Sequence, residues 1–391
     1  MAAIKLKGDT SGELTIQAPS VAGTNTLNLP ASSGTLATTA QASIGMKNLI
    51  INGNMQIAQR GTSFTGLTGI SYNLDRWETT AYTMTGGQYQ VDQSTDAPEG
   101  FAYSQKISCT TAHTQDVNNQ FYIQQQIEGV NSSQLNYFVA SPDTVTLSFW
   151  VKANLTGSYA CALKLSDNGS VENNTSTRVY NTTYSISSAN TWEKKTVTIV
   201  LDSAVGDVQV VDNRFAVSVQ WWLGAGTSRD GGAANSWINY GNVSTAADNL
   251  DLLGSTSNEW YITGVQLEVG TTATPFEQMQ YGTQLALCQR YFQKLVEPAL
   301  CGYAPTGAAV WRMGGILPVQ MRAAGTVTIT GNPPIQSAGA TSLSSVGANY
   351  SNNGNSIEFD GTLNASVSVN GSIVKTICTS STTAINISSE L

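Results

Sequence analysis

From Trp260 to Val296 the chain reads WYITGVQLEVGTTATPFEQMQYGTQLALCQRYFQKLV, and inside this stretch a strand-type pattern gives way to a helix-type one. Tyr261, Thr263, Val265, Leu267 and Val269 alternate with Ile262, Gly264, Gln266 and Glu268, the period-two signature of a half-buried strand. Gly270 and Pro275 end that alternation. From Tyr281 onward the apolar positions Leu285, Cys288, Phe292 and Leu295 recur at steps of three and four, which predicts a short amphipathic helix over 281–296. The same spacing fits a coiled-coil seam between copies or packing onto the chain's own sheets, and two heptads do not separate the two. A change of period this abrupt marks a seam between structural units.

A length of 391 residues suits two or three such units. Only 11% of residues are charged, against roughly 25% in an average soluble domain, so neutral Thr, Ser, Asn, Gln and Gly carry solubility. Thr and Ser alternate with Val, Ile and Leu over long runs, and branched side chains favour sheet over helix, so the fold class expected is mainly β. Strand signals at 121–127, 144–152, 197–201 and 215–221 predict a jelly-roll-like β-sandwich over 46–280. Residues 297–391 predict a small C-terminal β domain, with Trp311, Ile316, Leu317, Val319 and Met321 as a modest core that would gain from sharing between copies. Residues 1–45 hold short runs such as Leu14-Thr15-Ile16 and Leu27-Asn28-Leu29 and too little apolar mass for a core of their own. Such a segment is either an extended arm that orders on a partner or a disordered tail.

The strand ITGVQLEVG, the loop PFEQ and the run LALCQRYFQKL together resemble bacteriophage tail-fibre and related virion-appendage proteins. LTIQAPSVAGTNTLNLPASSGTLAT near the N-terminus resembles their attachment segments, and NLIINGNMQIAQRGTSF with YNLDRW resembles the start of their main domain. The resemblance implies a structural protein of the virion that is homotrimeric. It also implies an arm, residues 1–45, docked on a tail or capsid protein, and a distal domain, residues 297–391, turned to the host. A tail fibre is the first reading, and a capsid head fibre or decoration protein is the alternative within the same class.

Charge and motif content narrow the chemistry. A net charge of −8 with 18 scattered basic residues argues against a nucleic-acid partner. No run is long enough for a signal peptide or a membrane span, so membrane insertion is not expected. Cys109, Cys161, Cys288, Cys301 and Cys378 are odd in number and lack a CxxC pair, which predicts free thiols and no zinc site, with Cys288 a small hydrophobe; no residue is assigned to a metal. His113 is the sole histidine, in the polar run TTAHTQD, and reads as a solvated loop residue; no catalytic residue, nucleotide cradle or cofactor is expected. Hydrolysis of a polysaccharide needs two carboxylates roughly 5–10 Å apart. Asp75, Glu78, Glu128, Asp143, Asp230, Asp251 and Glu259 show no spacing that singles out a pair, so a surface-polysaccharide depolymerase is the alternative of another class. Asp75-Arg76-Trp77 reads as an internal salt bridge beside a core tryptophan.

Non-catalytic glycan binding is the better-motivated chemistry. A β scaffold holds sugars with aromatic faces for their apolar side and amides for their hydroxyls. Trp150 and Trp222 fall out of phase with the core positions of their strands, Tyr122, Gln124 and Gln126 share one alternate face, and Trp237 and Tyr240 lie in a loop with Asn235 and Asn239. Each out-of-phase aromatic could equally cover a second sheet or a contact between copies.

Overall fold

A computed structural model describes residues 3–7, 11, 13–17, 46–169, 177–204, 207–229, 232–239, 250–296, 300–303, 310–330, 334–336, 341–352, 356–363, 373–376 and 384–391. The chain forms two compact units, Met1–Ser43 and Ile44–Leu391. In the first, β1 (Ala3–Lys7) and β2 (Glu13–Gln17) pair antiparallel, with Ala3 opposite Gln17 and Lys7 opposite Glu13. Leu14-Thr15-Ile16 lies on β2, while Leu27-Asn28-Leu29 lies outside the described residues.

The second unit begins with a sandwich of β3 (Ser63–Leu67), β4 (Ile70–Tyr72), β5 (Glu78–Tyr82), β6 (Gln88–Ser94), β7 (Ser104–Thr111), β8 (Gln120–Glu128), β9 (Thr144–Ala153), β10 (Gly157–Ser166), β11 (Thr177–Ile186), β12 (Glu193–Val200), β13 (Phe215–Ala225), β14 (Ser236–Asn239) and β15 (Glu259–Val269). One sheet runs β14-β11-β10-β13-β8-β5-β4 and the other β12-β9-β15-β7-β6-β3, all antiparallel neighbours, so the unit is a jelly-roll-like β-sandwich. Alternation explains the inner faces. Val145, Leu147, Phe149 and Val151 of β9 meet Val217, Val219 and Trp221 of β13, all in one buried cluster. Trp221 lies 5.7 Å from Trp77 and 5.5 Å from Phe149, centroid to centroid. Each such side chain removed from water contributes on the order of 2–3 kcal/mol.

Strand β15 departs from the expected single alternation. Its pairing with β9 slips between Thr263 and Gln266, a bulge that lets Trp260 and Ile262 point inward before it and Val265 and Leu267 after it. Tyr261 and Val265 therefore lie on opposite faces. Gly264 makes the bulge: its φ is +62°, and a Cβ there would stand 2.6 Å from the Phe101 ring. The two segments around NLIINGN and ITGVQLE interlock at this place. Asn48 donates to the Val265 carbonyl and accepts from Leu267 N–H, each at 3.0 Å, and Val265 N–H donates to Gly53 O at 2.9 Å. The approach is so close that a Cβ on Gly53 would stand 2.1 Å from the Val265 oxygen.

The expected helix over 281–296 is half helix and half strand. α1 (Gly129–Ser132) is a single turn after β8, and α2 spans Tyr281–Gln289 only. Tyr291 N–H closes the last turn onto Cys288 O at 2.9 Å, and β16 (Phe292–Val296) follows at once, its aromatic Phe292 and β-branched Val296 suiting a strand. Of the expected stripe, Cys288 is buried and Leu285 half-buried on the helix, while Phe292 and Leu295 belong to the strand. No helical seam runs through all four.

Thereafter come β17 (Leu300–Tyr303), β18 (Val310–Ile316), β19 (Thr326–Thr330), β20 (Pro334–Gln336), β21 (Thr341–Asn352), β22 (Ser356–Leu363), β23 (Ile373–Thr376) and β24 (Ala384–Ser388). Strands β17-β18-β22-β21-β20-β23 close into a barrel, and β16-β24-β19 form a three-stranded sheet. Leu317 and Met321 are buried, Val319 is half-buried and Ile316 is 88% exposed, so Ile316 is not a core residue; the Trp311 side chain lies outside those described. The last residues return to the sandwich. Glu390 pairs with Arg76 and with Arg60, and Tyr72 OH donates to Leu391 O at 2.8 Å. Trp77 is a core residue as expected, but the partner of Arg76 is Glu390 and not its neighbour Asp75, which accepts from Gln59 N–H and Nε2 at 2.6 Å each.

Candidate functional site

The site is built on the side of the seven-stranded sheet that faces away from the sandwich core. Register places it: Tyr122 of β8 lies opposite Trp222 of β13, Gln124 opposite Gln220, and Gln126 opposite Ser218. On one flank β5 adds Glu78 opposite Gln124 and Thr80 opposite Tyr122, and on the other β10 adds Lys164 opposite Ser218. The structure thus brings together four of the residues singled out from sequence, Tyr122, Gln124, Gln126 and Trp222. The two rings pack at 4.7 Å with their planes tilted by 48°. A hydrogen-bonded ladder runs beside them: Gln124 Nε2 donates to Glu78 Oε1 at 2.8 Å, and Gln220 Nε2 and Ser218 Oγ donate to Gln124 Oε1 at 2.7 and 3.1 Å. The Lys164 ammonium stands 5.8 Å over the Tyr122 ring.

Every one of these side chains is buried, from 0% exposure at Trp222 and Gln220 to 6% at Glu78. Several polar atoms on this face still lack a protein partner: Gln126 Oε1, Gln220 Oε1 and both amide atoms of Asn181. Buried polar groups are nearly always matched, so a cluster of unmatched ones marks a place where a ligand's groups can complete the set.

The other residues singled out from sequence sit elsewhere. Trp150 is half-buried on the outer face of the six-stranded sheet, opposite Lys194 and Thr263. Trp237 lies on edge strand β14, where it packs on Tyr180 at 5.4 Å and donates through Nε1 to Val200 O at 2.9 Å, closing the sandwich between its two edges. Asn235 accepts from Thr182 Oγ1 at 2.8 Å, and Asn239 accepts from Arg178. Tyr240 lies outside the described residues.

Sequence reasoning missed Glu78, Gln220, Ser218, Lys164 and Asn181 as members of this face. The alternation in FAVSVQWW carried the signal for Ser218 and Gln220, since they share the phase of Trp222. It also missed a cluster on the opposite sheet. There Lys152 lies 4.3 Å over the Tyr261 ring and pairs with Asp96, Trp192 donates to Asp96 at 3.0 Å, and Tyr261 OH donates to Glu259 at 2.7 Å. Burial alone would raise the Asp96 carboxyl, yet hydrogen bonds from Lys152 and Trp192 outweigh it and hold the group below its ordinary value. Here the polar groups satisfy one another, in contrast to the seven-stranded face.

The described carboxylates considered for hydrolysis are each engaged by the protein. Glu128 takes a two-pronged contact from Arg290 at 2.9 and 2.7 Å, Asp143 accepts from Asn136, Asp251 accepts from Leu253 N–H, and Glu259 pairs with Lys106 at 2.6 Å. Asp230 lies outside the described residues. His113 is not a freely solvated side chain: Nδ1 lies 2.9 Å from Thr85 O and Nε2 2.9 Å from Asn119 Oδ1. Cys109, Cys161 and Cys288 are free and buried, and burial pushes each thiol up from its ordinary value. Among the described residues no three His, Cys, Asp or Glu side chains gather as metal ligands, and no helix is long and apolar enough to cross a membrane.

No protein-family model matches the chain, and no curated protein matches it. Among solved structures it is similar to a proposed sugar binding protein from Bacteroides thetaiotaomicron VPI-5482, at 12% identity and a TM-score of 0.34, over 57% of this chain and 100% of that one. It is also similar to a family 11 carbohydrate-binding module from Clostridium thermocellum, at 9% identity and a TM-score of 0.28, over 55% of this chain and 99% of that one. A third is the enzymatically active domain of tailspike protein 4 from bacteriophage CBA120, at 11% identity and a TM-score of 0.28, over 57% of this chain and 22% of that one.

Proposed function

We propose that this protein is a non-catalytic glycan-binding appendage of a virion, a tail fibre in the first instance, that attaches to host-surface saccharide as a homotrimer. The observation that carries the binding reading is the Tyr122–Trp222 ring pair lying beside the amides of Gln124, Gln126 and Gln220 on one sheet face. Such a face is buried as it stands and, on opening, would offer an apolar plate for a sugar ring and amide groups for its hydroxyls. The engagement of the described carboxylates supports binding over hydrolysis. The virion setting, the arm at residues 1–45 and the threefold assembly rest on the resemblance of the sequence segments named above. Weak contacts at each protomer would then sum to avidity.

The test uses the full-length protein on host cells and on extracted surface glycans, with a reducing-end assay alongside and light scattering for the oligomeric state. Saturable binding without released reducing ends, weakened about tenfold by Gln220→Leu, is expected. Absence of binding sinks the glycan reading, sugar release sinks the non-catalytic one, and a monomer sinks the threefold assembly. Point variants are the right tools, because Glu390 and Leu391 are tied to Arg76 and Tyr72 and a C-terminal deletion removes part of the sandwich's own support.

A further inference from the structure

The Gln124 and Gln220 amides on the seven-stranded face point in one direction, and Glu78 sets it. Glu78 Oε1 accepts from Gln124 Nε2 at 2.8 Å and from Thr80 Oγ1 at 2.7 Å. A carboxylate accepts hydrogen bonds, so the Gln124 amide must turn its NH2 toward Glu78 and its carbonyl toward β13. That carbonyl is where Gln220 Nε2 and Ser218 Oγ donate, at 2.7 and 3.1 Å. Gln220 has therefore turned its donor inward along the ladder, and its free end is the acceptor Oε1, buried and without a protein partner. Next to it Gln126 likewise leaves Oε1 unmatched. These two buried acceptors ask for donors, beside an Asn181 amide that is unmatched at both its atoms.

We infer that Glu78 is a positioning residue whose hydrogen bond fixes the ladder's polarity, and that the face selects an uncharged, hydroxyl-donating saccharide over a sulfated or otherwise anionic one. This rests on the glycan-binding reading and names its ligand class. At the two glutamines an anion brings lone pairs to a place already supplied with them, whereas a sugar hydroxyl brings the missing proton and can still accept from Asn181 Nδ2; the Lys164 ammonium on this face lies over the Tyr122 ring. Were the amides reversed, the same residues would present N–H groups and favour the anion. The polarity is the specificity, and it is set by Glu78, which acts on the ligand-facing Gln220 only through Gln124.

Neutral galactan, glucan and mannan, each beside its chemically sulfated form, are the probes, because sulfation replaces hydroxyl donors with acceptor-only groups. Wild-type protein is expected to bind at least one neutral polysaccharide about tenfold or more tighter than its sulfated form. Glu78→Gln supplies a carboxamide that can donate or accept, which frees Gln124 to turn over, and the preference is expected to fall below about threefold. Gln124→Met cuts the same relay with no change of charge and carries the same expectation; Gln220→Met, which deletes the outward acceptor itself, replaces either variant whose thermal midpoint shows it unfolded. A wild-type protein that binds sulfated and neutral forms alike overturns the inference while leaving glycan binding in place. So does a preference lost in Glu78→Gln and retained in Gln124→Met, which would be a simple charge effect. Binding to none of the six polysaccharides is instead the failure of the glycan reading itself, and the inference falls with it.

Discussion

Arg76 is 1% exposed and has a backbone φ of +72°, so neither its charge nor its backbone is at ease without help. Help comes from Glu390, from the Gln126 carbonyl and from the Tyr291 ring 3.4 Å away. Glu390→Gln leaves the guanidinium buried without its counter-charge, and a loss of about 3–5 kcal/mol in urea unfolding is expected. Tyr89 makes a second test. Burial, more than the nearby Glu78 charge, pushes its hydroxyl up to about 12, against the hydrogen bond from Ser71, which lowers it. The unfolded chain therefore gives up this proton first. The resulting stabilisation is complete below the ordinary tyrosine value near 10 and disappears as pH rises through 12, so wild type should lose about 2–3 kcal/mol over that window that Tyr89→Phe does not. At this scale the sequence showed chemistry better than partnership. Tyr122, Gln124, Gln126 and Trp222 were readable because alternation alone assigns a face. Glu78 was not, being one carboxylate among many until register set it against Gln124, and nothing local to Arg76 points to a partner 314 positions away.

Strands declared themselves where one face was apolar and the other polar. β9 and β13 were legible on that ground, and β11 was not, because that strand is largely buried on both faces, with Thr and Asn at the buried polar positions. The bulge in β15 was illegible for a related reason: Thr263 and Gly264 keep the letters alternating while the faces change places. Gly264→Val puts a branched side chain at φ +62° and against Phe101, and a fall of at least about 2 kcal/mol is expected in thermal or urea unfolding. Outside the bulge, substitution of Thr198 by Val, an exposed position on β12, should shift stability by less than about 0.5 kcal/mol and serves as its control. The apolar stripe from Leu285 to Leu295 looked continuous because steps of three and four can be met by chance across a helix and the strand that follows it.

For the whole molecule, the proposed binding face is closed as it stands, with Gln220 and Trp222 at 0% exposure. On the proposed function a saccharide waits for an opening, and association is expected to be slow, below about 10⁵ per molar per second by surface plasmon resonance, even when the final affinity is high. A rate at the ordinary level would mean that the sugar is taken up on another surface. The sequence did show a mainly β chain with a sandwich followed by a further β region. What it hid is that the end of the chain is bound into the start of the sandwich. The tie between Arg76 and Glu390 has a consequence for biogenesis, since a ribosome adds about 5–20 residues per second and 314 residues separate the two partners. For tens of seconds the nascent sandwich holds the Arg76 guanidinium without its counter-charge, so its final locking waits for Glu390 to leave the ribosome.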